Sequence, residues 1–365
     1  MHLLLLTARM PPAVDGVGDY TAFLARALAR RGVRVTLACR QQQQYTPLEG
    51  VSLWNVPLEQ AERDTPQWID QLIGLRPDWC VLQYVPYAFQ HRGLPFHLPY
   101  LLKRIRAAGV RVGIFFHEVH VRLRENFPIG IGQRWIAQQL CRHADAVLTS
   151  IPFYQQILAQ LGAHAHLLPI GANIEVPQPT SPATEHPLGA YFPDKKWVIS
   201  TFGRRNLQNL AAAIRQLPDA GLLVIGRADV AHLGTMPGTH ATGYVPASEV
   251  YKWLRCSDIF ALPDPIIHGG RGGTSLKSGS LAAAFAAALP VIGVAGDMTA
   301  PPLEHGSNIW LVNETSPGGW MQALQTLLSQ PLLCQRLAQN GYALYQQQLH
   351  WDVLANTLVR LLNSQ

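Results

Sequence analysis

Residues 268–292 read HGGRGGTSLKSGSLAAAFAAALPVI and combine a glycine- and serine-rich loop, an apolar helix and the start of an apolar strand. A strand is predicted just before them, over Ile259 to Leu262. Two short apolar strands joined by a helix are typical of a parallel sheet. The stretch therefore favours an α/β fold, with the loop at the carboxyl edge of the sheet, where such sheets bind ligands.

The same alternation of apolar strands and helices extends outward through the chain. Further strands of the second half are predicted at Trp197 to Thr201, Leu222 to Ile225, Pro290 to Val294 and Ile309 to Val312. Those of the first half are predicted at Leu3 to Leu6, Val33 to Ala38, Trp79 to Gln83, Val110 to Phe116 and Ala146 to Leu148. Continuously apolar strands need cover on both faces, which helices between them provide. The pattern predicts two doubly wound units that face each other across a cleft.

Residues 176–194 carry several prolines and almost no periodicity, which indicates a linker. We expect an N-terminal domain over 1–175 and a C-terminal domain over 195–348. The last helical segment, 349–365, has no strand after it, and its packing back on the N-terminal domain is left open.

Composition narrows the class of protein. Of the 365 residues 48% are apolar and only 14% are charged, which argues against extensive disorder. The net charge of +6 comes more from Arg than from Lys. Such a charge suits anionic ligands or an anionic membrane face, and the alternative is a basic protein whose charge has no specific partner. We expect no nucleic-acid partner. The five scattered cysteines favour free thiols, and the absence of a membrane-length apolar run favours a cytoplasmic protein, soluble or peripheral to the inner face of the membrane.

Two candidate ligand contacts lie in the first half. The loop 11–20 follows the first strand, and Gly16 and Gly18 would let the backbone approach a ligand while helix-start amides attract an anion. An ordinary strand–helix turn is the alternative. His117 follows the strand 110–116 and could donate to a sugar hydroxyl or to developing negative charge; a histidine satisfied within the core is the alternative.

Two further candidates lie in the second half. Gly203 with Arg204 and Arg205 follows a strand and could clamp a diphosphate, unless both arginines are merely solvated. The loop 268–280 supplies backbone donors, a helix N-terminus and a counter-charge for phosphate, unless it is only a mobile surface loop. Its candidate residues are Ser275, Lys277, Ser278, Gly279 and Ser280. No aspartate cluster or histidine pair suggests a metal.

Taken in order, these segments resemble the retaining nucleotide-sugar glycosyltransferases of the GT-B fold, particularly glycosyltransferase family 4. The resemblance covers nearly the whole chain. It rests on Gly16 to Gly18, Gly32 to Val35, His117, Leu168 to Asn173, Phe202 to Arg204, Thr242 to Val245, Cys256 to Pro263 and Ala284 to Val291.

The resemblance implies a metal-independent hexosyltransferase with two Rossmann-like domains. The donor, a nucleotide-diphosphate sugar, would be a co-substrate bound by the C-terminal domain, with no other cofactor, and the acceptor would bind the N-terminal domain. The implied catalytic residues are His117, Arg204 and Lys277. The implied donor-binding residues are Gly16, Gly18, Gly203, Arg205, Ser275, Ser278, Gly279 and Ser280.

The chain departs from the family pattern in ways that point to a divergent subgroup. The usual lysine after the arginine is absent from residues 206–214, and Lys277 is the candidate replacement. The family's two glutamates, eight positions apart, fall on Ser275 and Ala283, and a third falls near Pro301, with Glu304 close but out of register. A sugar-nucleotide epimerase and a non-catalytic partner protein therefore stay as alternatives to transfer onto a glycan, lipid-linked or small-molecule acceptor.

The helices predicted at 98–108 and 131–143 mix Arg with Trp, Leu and Ile. Such a mixture is typical of a helix that lies on a membrane surface. It is equally typical of a helix that packs on a sheet, so the sequence leaves both interpretations open.

Overall fold

The computed structural model describes residues 1–40, 45–56, 66–119, 127–177, 188–226, 236–267 and 271–365. Most of the predicted linker, 178–187, and the first three residues of the loop 268–280 lie outside the described residues. The chain forms two compact units. The first consists of Met1–Pro169 with Trp351–Gln365, and the second of Ile170–His350.

The first unit is built on a seven-stranded parallel sheet in the order β3-β2-β1-β4-β5-β6-β7. Its strands are β1 (His2–Thr7), β2 (Arg34–Arg40), β3 (Val51–Val56), β4 (Trp79–Tyr84), β5 (Arg111–Phe116), β6 (Ala146–Thr149) and β7 (Ala165–Leu167). Its helices are α1 (Gly16–Arg30), α2 (Pro66–Gly74), α3 (Pro86–Phe89), α4 (His97–Ala107), α5 (Ile129–His143), α6 (Pro152–Ala159) and α12 (Trp351–Asn363).

The last helix, α12, belongs to the first unit although it follows the whole second unit in the chain. The indole of Trp351 stacks on Phe23 of α1 at 5.5 Å between ring centroids and lies 5.3 Å from the ring of Tyr20. Asp352 pairs with Arg30 at 3.5 Å, but both side chains are largely exposed. The buried aromatic contacts therefore hold this helix more than its surface charges do.

The second unit is built on a six-stranded parallel sheet in the order β10-β9-β8-β11-β14-β15. Its strands are β8 (Trp197–Phe202), β9 (Ala220–Ile225), β10 (Thr239–Ala241), β11 (Ile259–Ala261), β14 (Val291–Val294) and β15 (Trp310–Val312), beside a small antiparallel pair, β12 (Ile266–Ile267) and β13 (Arg271–Gly272). Its α-helices are α7 (Gln208–Ile214), α8 (Ala247–Arg255), α9 (Gly279–Ala286), α10 (Pro317–Ser329) and α11 (Pro331–Leu344).

Two apolar layers stabilise the second unit. One contains α8 and the whole of α9, where Leu281 and Phe285 are fully buried. The other contains α7 and α10, with Trp320 as its largest side chain. Because α9 is rich in alanine, it packs closely against the sheet and brings its first turn to the carboxyl edge.

The predicted α/β class with two doubly wound units is confirmed, and each strand predicted in the sequence is present within a few residues. The strands that the sequence did not reveal, β3, β7 and β10, lie at sheet edges. An edge strand is covered less completely, so it lacks the continuous apolar run that marks a central strand.

The end of α9 carries a backbone feature that can be tested. Ala288, just beyond the helix, has a φ of 54°, a left-handed conformation that favours glycine. We expect Ala288→Gly to stabilise the second unit by about 1 kcal/mol and to raise its melting temperature by about 2–4 °C. Differential scanning calorimetry measures this change. Ala287→Gly is the matched control: Ala287 has a φ of −79°, so glycine there should lower the melting temperature. A lower melting temperature for both variants would contradict the inferred backbone strain at Ala288.

Candidate functional site

The first turn of α9 forms one side of a candidate anion site in the second unit. Ser278 caps the helix, because its Oγ accepts from the amide of Leu281 at 3.2 Å. The amides of Gly279 and Ser280 have no acceptor among the described residues. Unsatisfied amides at the positive end of a helix attract an anion. A Cβ on Gly279 would lie 2.9 Å from the side chain of Asn173, so this turn requires a glycine.

The turn after β8 comes close to the same helix start. Gly203 has a φ of +97°, which reverses the chain at the end of the strand. A Cβ at this position would lie 3.3 Å from Oγ of Ser280. The structure thus brings together two predicted segments, 203–205 and 278–280, that are more than seventy residues apart in the chain.

Arg205 joins these segments. Its guanidinium donates to the carbonyl of Phe202, to Oδ1 of Asp264 at 3.0 Å and to Oγ of Ser278 at 3.3 Å. The side chains of the Arg205–Asp264 pair are only 10% and 16% exposed. Arg205 therefore holds the turn of Gly203 against the start of α9. The guanidinium nitrogens that make these bonds are already hydrogen-bonded within the protein.

Asp264 extends the network toward β14. Its Oδ2 accepts from Oγ1 of Thr274 at 2.8 Å. The Thr274 Oγ1 in turn accepts from the amide of Val294 at 3.0 Å. The hydroxyl of Thr299 donates to the carbonyl of Thr274 at 2.8 Å. The exits of β8, β11 and β14 are thus tied into one polar network at the carboxyl edge of the sheet.

The two neighbouring arginines differ in their surroundings. Arg204 is exposed and forms no hydrogen bond or ion pair with any described residue, whereas Arg205 is buried in the network. Lys277 is half-buried and has a partner within the chain. In this segment of the protein, Arg204 is therefore the cation best placed to receive a dissolved anion.

Of the three positions where the resemblance implies glutamates, the two at Ser275 and Ala283 are buried. Ser275 is 2% exposed, and its Oγ is buried with no hydrogen-bond partner among the described residues. Ala283 lies inside α9 and is fully buried. Glu304 is exposed, and its backbone carbonyl accepts from the amide of Ser307.

In the first unit the predicted glycine loop begins α1. Asp15 caps this helix, and its Oδ1 accepts from the amides of Val17 at 3.1 Å and Gly18 at 2.7 Å. A Cβ on Gly18 would lie 2.7 Å from the carbonyl oxygen of Arg9, whereas one on Gly16 would meet nothing within 4 Å. Gly18 is thus required for backbone packing, and only the Gly16 amide is left without an acceptor among the described residues.

His117 lies at the end of β5 in a buried aromatic setting. Its Nε2 lies 2.8 Å from Oε1 of the buried Gln83, and its ring packs on Phe115 at 4.2 Å and against Tyr20 at 4.9 Å. Burial lowers the pKa of His117 to about 3, so the ring is neutral at neutral pH. With Nε2–H donating to Gln83, Nδ1 is the atom left to accept a hydrogen from a ligand hydroxyl.

Sequence reasoning did not single out Asp19, Asp264 or Thr274. Asp264 follows Pro263, just after the strand predicted over Ile259 to Leu262. Because residues that follow neighbouring strands of this sheet were expected in the site, this position could have identified Asp264 as a site residue. Asp19 lies in the first turn of α1, where burial first and the charge of Asp15 second raise its pKa to about 6. It is therefore a carboxyl that changes charge close to neutral pH.

Removal of the central carboxylate tests the polar network. Asp264→Ala removes the only carboxylate paired with Arg205 among the described residues and the acceptor of the Thr274 hydroxyl, so we expect a loss of roughly 3 kcal/mol in the stability of the second unit. Thermal or chemical denaturation measures this loss. The more exposed pair Lys252–Glu249, at 2.9 Å and about one-third exposed, provides the control, because Lys252→Ala should cost less than about 1 kcal/mol. Equal, small losses for the two variants would contradict a structural role of the network.

The pKa of Asp19 predicts a pH dependence of stability. The folded protein holds this proton up to about pH 6, but the unfolded chain releases it near 3.8, so the stability of the first unit falls as pH rises through that interval. Asp19→Asn removes this loss. We expect the variant to be more stable than the wild type at pH 7 by up to about 3 kcal/mol and equally stable near pH 4.

Melting temperatures across this pH range measure the effect. Asp194→Asn, at an exposed aspartate of the second unit, is the control for the removal of a surface carboxylate. A constant difference between Asp19→Asn and the wild type at all pH values would contradict the raised pKa.

Three findings concern metal sites, membrane spans and curated relatives. Among the described residues, no three His, Cys, Asp or Glu side chains are grouped so that they could bind a metal ion. No helix in the same ranges is long and apolar enough to cross a membrane. No curated protein matches the sequence.

Two family descriptions match the chain, one in each half. Residues 15–171 match "Glycosyl transferase 4-like domain", and residues 198–330 match "Glycosyl transferases group 1".

Solved structures match over the full length of the chain. HepE of Anabaena, in complex with UDP and glucose, is 14% identical with a TM-score of 0.71, and each chain is covered to 100%. Sucrose-phosphate synthase of Thermosynechococcus elongatus is 16% identical with a TM-score of 0.74, at 100% and 98% coverage. A putative UDP-N-acetylglucosamine 2-epimerase of Listeria monocytogenes is 16% identical with a TM-score of 0.61, at 100% and 96% coverage. At these identities the likeness shows a shared fold.

Proposed function

Because this chain belongs to the GT-B glycosyltransferases of the family 4 type, we propose that it transfers a hexose from a nucleoside diphosphate sugar to an acceptor hydroxyl. The donor diphosphate binds the second unit, between the turn of Gly203 and the first turn of α9. The acceptor binds the first unit. The transfer proceeds with retention of the anomeric configuration, as the family resemblance implies.

One observation carries the proposal: an exposed cation without a partner among the described residues lies in the turn that approaches two helix-start amides, which have no acceptor among those residues either. Arg204 has no partner among the described residues, and Gly203 next to it approaches Ser280. The amides of Gly279 and Ser280 and the positive end of α9 supply neutral donors for the same anion. Together they provide the charge and directed donors that a departing diphosphate needs.

The ion pair of Arg205 with Asp264 keeps this corner preorganised. Since Arg205 is engaged with Asp264 and Ser278, its proposed contribution to the donor site is to position the turn and the helix start. Lys277 adds a second positive charge beside the loop. Stabilisation of the leaving diphosphate by side-chain cations and amides needs no divalent ion, so we propose a metal-independent reaction.

In the first unit, His117 and Asp19 are proposed to contact the acceptor or the donor sugar. His117 is neutral and offers Nδ1 as an acceptor for a hydroxyl hydrogen. The two carboxyls of Asp15 and Asp19 make the start of α1 acidic. A sugar with its many hydroxyls suits this setting better than a phosphate does, because hydroxyls donate hydrogen bonds to carboxylates.

Ligand-dependent thermal stability tests the donor site directly. HepE was crystallised with UDP and glucose, so uridine nucleotides and UDP-sugars are the first ligands to try, followed by those of the other bases. A ligand at about a hundred times its dissociation constant should stabilise the fold by about 2.7 kcal/mol, and EDTA should leave this shift unchanged. A shift that requires magnesium would contradict metal independence.

Two variants then separate the donor site from the fold. We expect Arg204→Ala to abolish the nucleotide-dependent shift and to lower kcat/KM about 100-fold or more, and Lys277→Ala to act in the same direction. Arg336→Ala, at an exposed arginine of α11, is the control and should leave both readouts unchanged. Full turnover in the double variant Arg204→Ala with Lys277→Ala would overturn the site assignment.

Two other outcomes separate the remaining alternatives. A change of sugar configuration in the donor, without any acceptor, would identify an epimerase, whose fold the Listeria protein shares. The absence of a shift with every nucleotide would favour a non-catalytic partner protein.

A further inference from the structure

The second unit contains a cavity of about 230 Å³ at the amino edge of its sheet. On the strand side it is lined by Trp197 and Ile259, which begin β8 and β11, and by Pro290, which directly precedes β14. On the helix side it is lined by the end of α10 and the first turns of α11. The candidate anion site lies at the opposite, carboxyl edge, and the six residues of β8 that separate the two edges span about 20 Å.

The connection between α10 and α11 leaves this space open. α10 ends at Ser329, and α11 begins at Pro331 after the single residue Gln330. Proline cannot continue the hydrogen bonding of the preceding helix, so the two helices diverge over the edge of the sheet. The small side chain of Ala338 lines the cavity where a larger residue of α11 would fill it.

Most of the lining is apolar. Ile259, Pro290 and Leu327 are buried, and Trp197 and Leu328 are half-buried. An apolar cavity of about 150 Å³ is large enough to bind benzene, so the larger space here has room for a bicyclic ring. The exposed residues Pro331 and Gln335 lie at the edge of the lining, which gives a ligand access from water.

One carboxylate borders the apolar lining. Oδ2 of Asp258 accepts from the amide of Val198 at 2.7 Å, whereas its Oδ1 has no hydrogen-bond partner and no paired cation among the described residues. Part of Asp258 is exposed at the edge of the cavity. Burial nevertheless raises the pKa of this carboxyl, against the effect of the Val198 amide. A carboxylate that has lost part of its water is stabilised by a positively charged partner.

The groups around Asp258 show which charge the cavity favours. The pKa of the Cys334 thiol is raised, first by burial and then by the charge of Asp258, so the thiol and the carboxylate lie close together in the lining. The Nζ of Lys196 lies 5.1 Å from the ring centroid of Trp197, so this lining indole already attracts a cation. Negative charge and an aromatic face both favour a positively charged ligand.

We propose that this cavity binds an organic amine with a flat apolar body, whose ring lies in the apolar lining and whose ammonium group donates to Oδ1 of Asp258. A neutral ring leaves Oδ1 unpaired, and an anion is repelled by the carboxylate. This inference concerns the amino edge of the second unit and does not rest on the proposed function.

Three compounds that share one ring system but differ in charge test the proposal. Isothermal titration calorimetry of the full chain compares tryptamine, 3-methylindole and indole-3-acetate. We expect tryptamine to bind with a Kd below about 1 mM, 3-methylindole to bind about tenfold more weakly, and indole-3-acetate to show no measurable binding. Equal affinities for the three compounds, or no saturable binding of tryptamine, would overturn the proposal.

Variants of the lining separate the charge from the cavity. Asp258→Asn keeps an acceptor for the Val198 amide, so it should weaken tryptamine binding about tenfold and leave 3-methylindole binding unchanged. Asp219→Asn, at an exposed aspartate of the same edge outside the lining, is the matched control. Ala338→Leu fills the cavity and should abolish the binding of both compounds. Wild-type affinity for tryptamine in either Asp258→Asn or Ala338→Leu would contradict the site.

Alkylation of Cys334 locates the ligand in the wild-type protein. At about ten times its dissociation constant, tryptamine should slow the reaction of Cys334 with iodoacetamide about tenfold. Cys256, which is also half-buried but lies outside the lining, should react at an unchanged rate. Peptide mass spectrometry measures both rates, and melting temperatures verify that the variants are folded. Equal slowing at the two thiols, or none at Cys334, would place the amine elsewhere and overturn the proposal.

Discussion

The cover on both faces of the two parallel sheets is the constraint on which the rest of the structure depends. Strands such as β1 and β4 are buried along their whole length, so they tolerate almost no polar side chain between their ends. Most of the polar groups of the candidate site therefore lie in the residues that follow the strands. In the second unit these residues are Gly203 to Arg205 after β8, Asp264 after β11 and Thr299 after β14.

Within that edge, one buried ion pair separates the roles of two adjacent arginines. The side chains of Arg205 and Asp264 are almost removed from water, and a charge in that position is tolerated only when it is paired. Arg205 is therefore committed to structure, and Arg204 beside it stays exposed. Such a division lets an exposed cation act from a held turn, because the hydrogen bonds that orient the turn do not depend on the ligand.

The starts of α1 and α9 differ in the charge of the residue that caps each helix. Asp15 satisfies the Val17 and Gly18 amides of α1 with a carboxylate, and Asp19 adds a second acidic group. The cap of α9 is the neutral Ser278, which leaves two amides and the helix dipole available. The first arrangement opposes an anion and the second attracts one, and this difference in capping residue supports the proposal that the phosphate binds the second unit.

The sequence by itself determined the class of fold and the order of its elements. A central strand that is buried on both faces needs a continuous apolar run, and a helix that covers the sheet needs an amphipathic pattern, so both can be recognised in the sequence. It also indicated the segments of the candidate site, since glycines and polar residues that follow a predicted strand can be recognised in the sequence alone. It did not reveal the ion pair of Arg205 with Asp264, the hydrogen bond of Thr274 to Asp264, or the packing of Trp351 on α1. Only the tertiary structure decided these, because burial, pairing and pKa depend on contacts between residues that are distant in the chain.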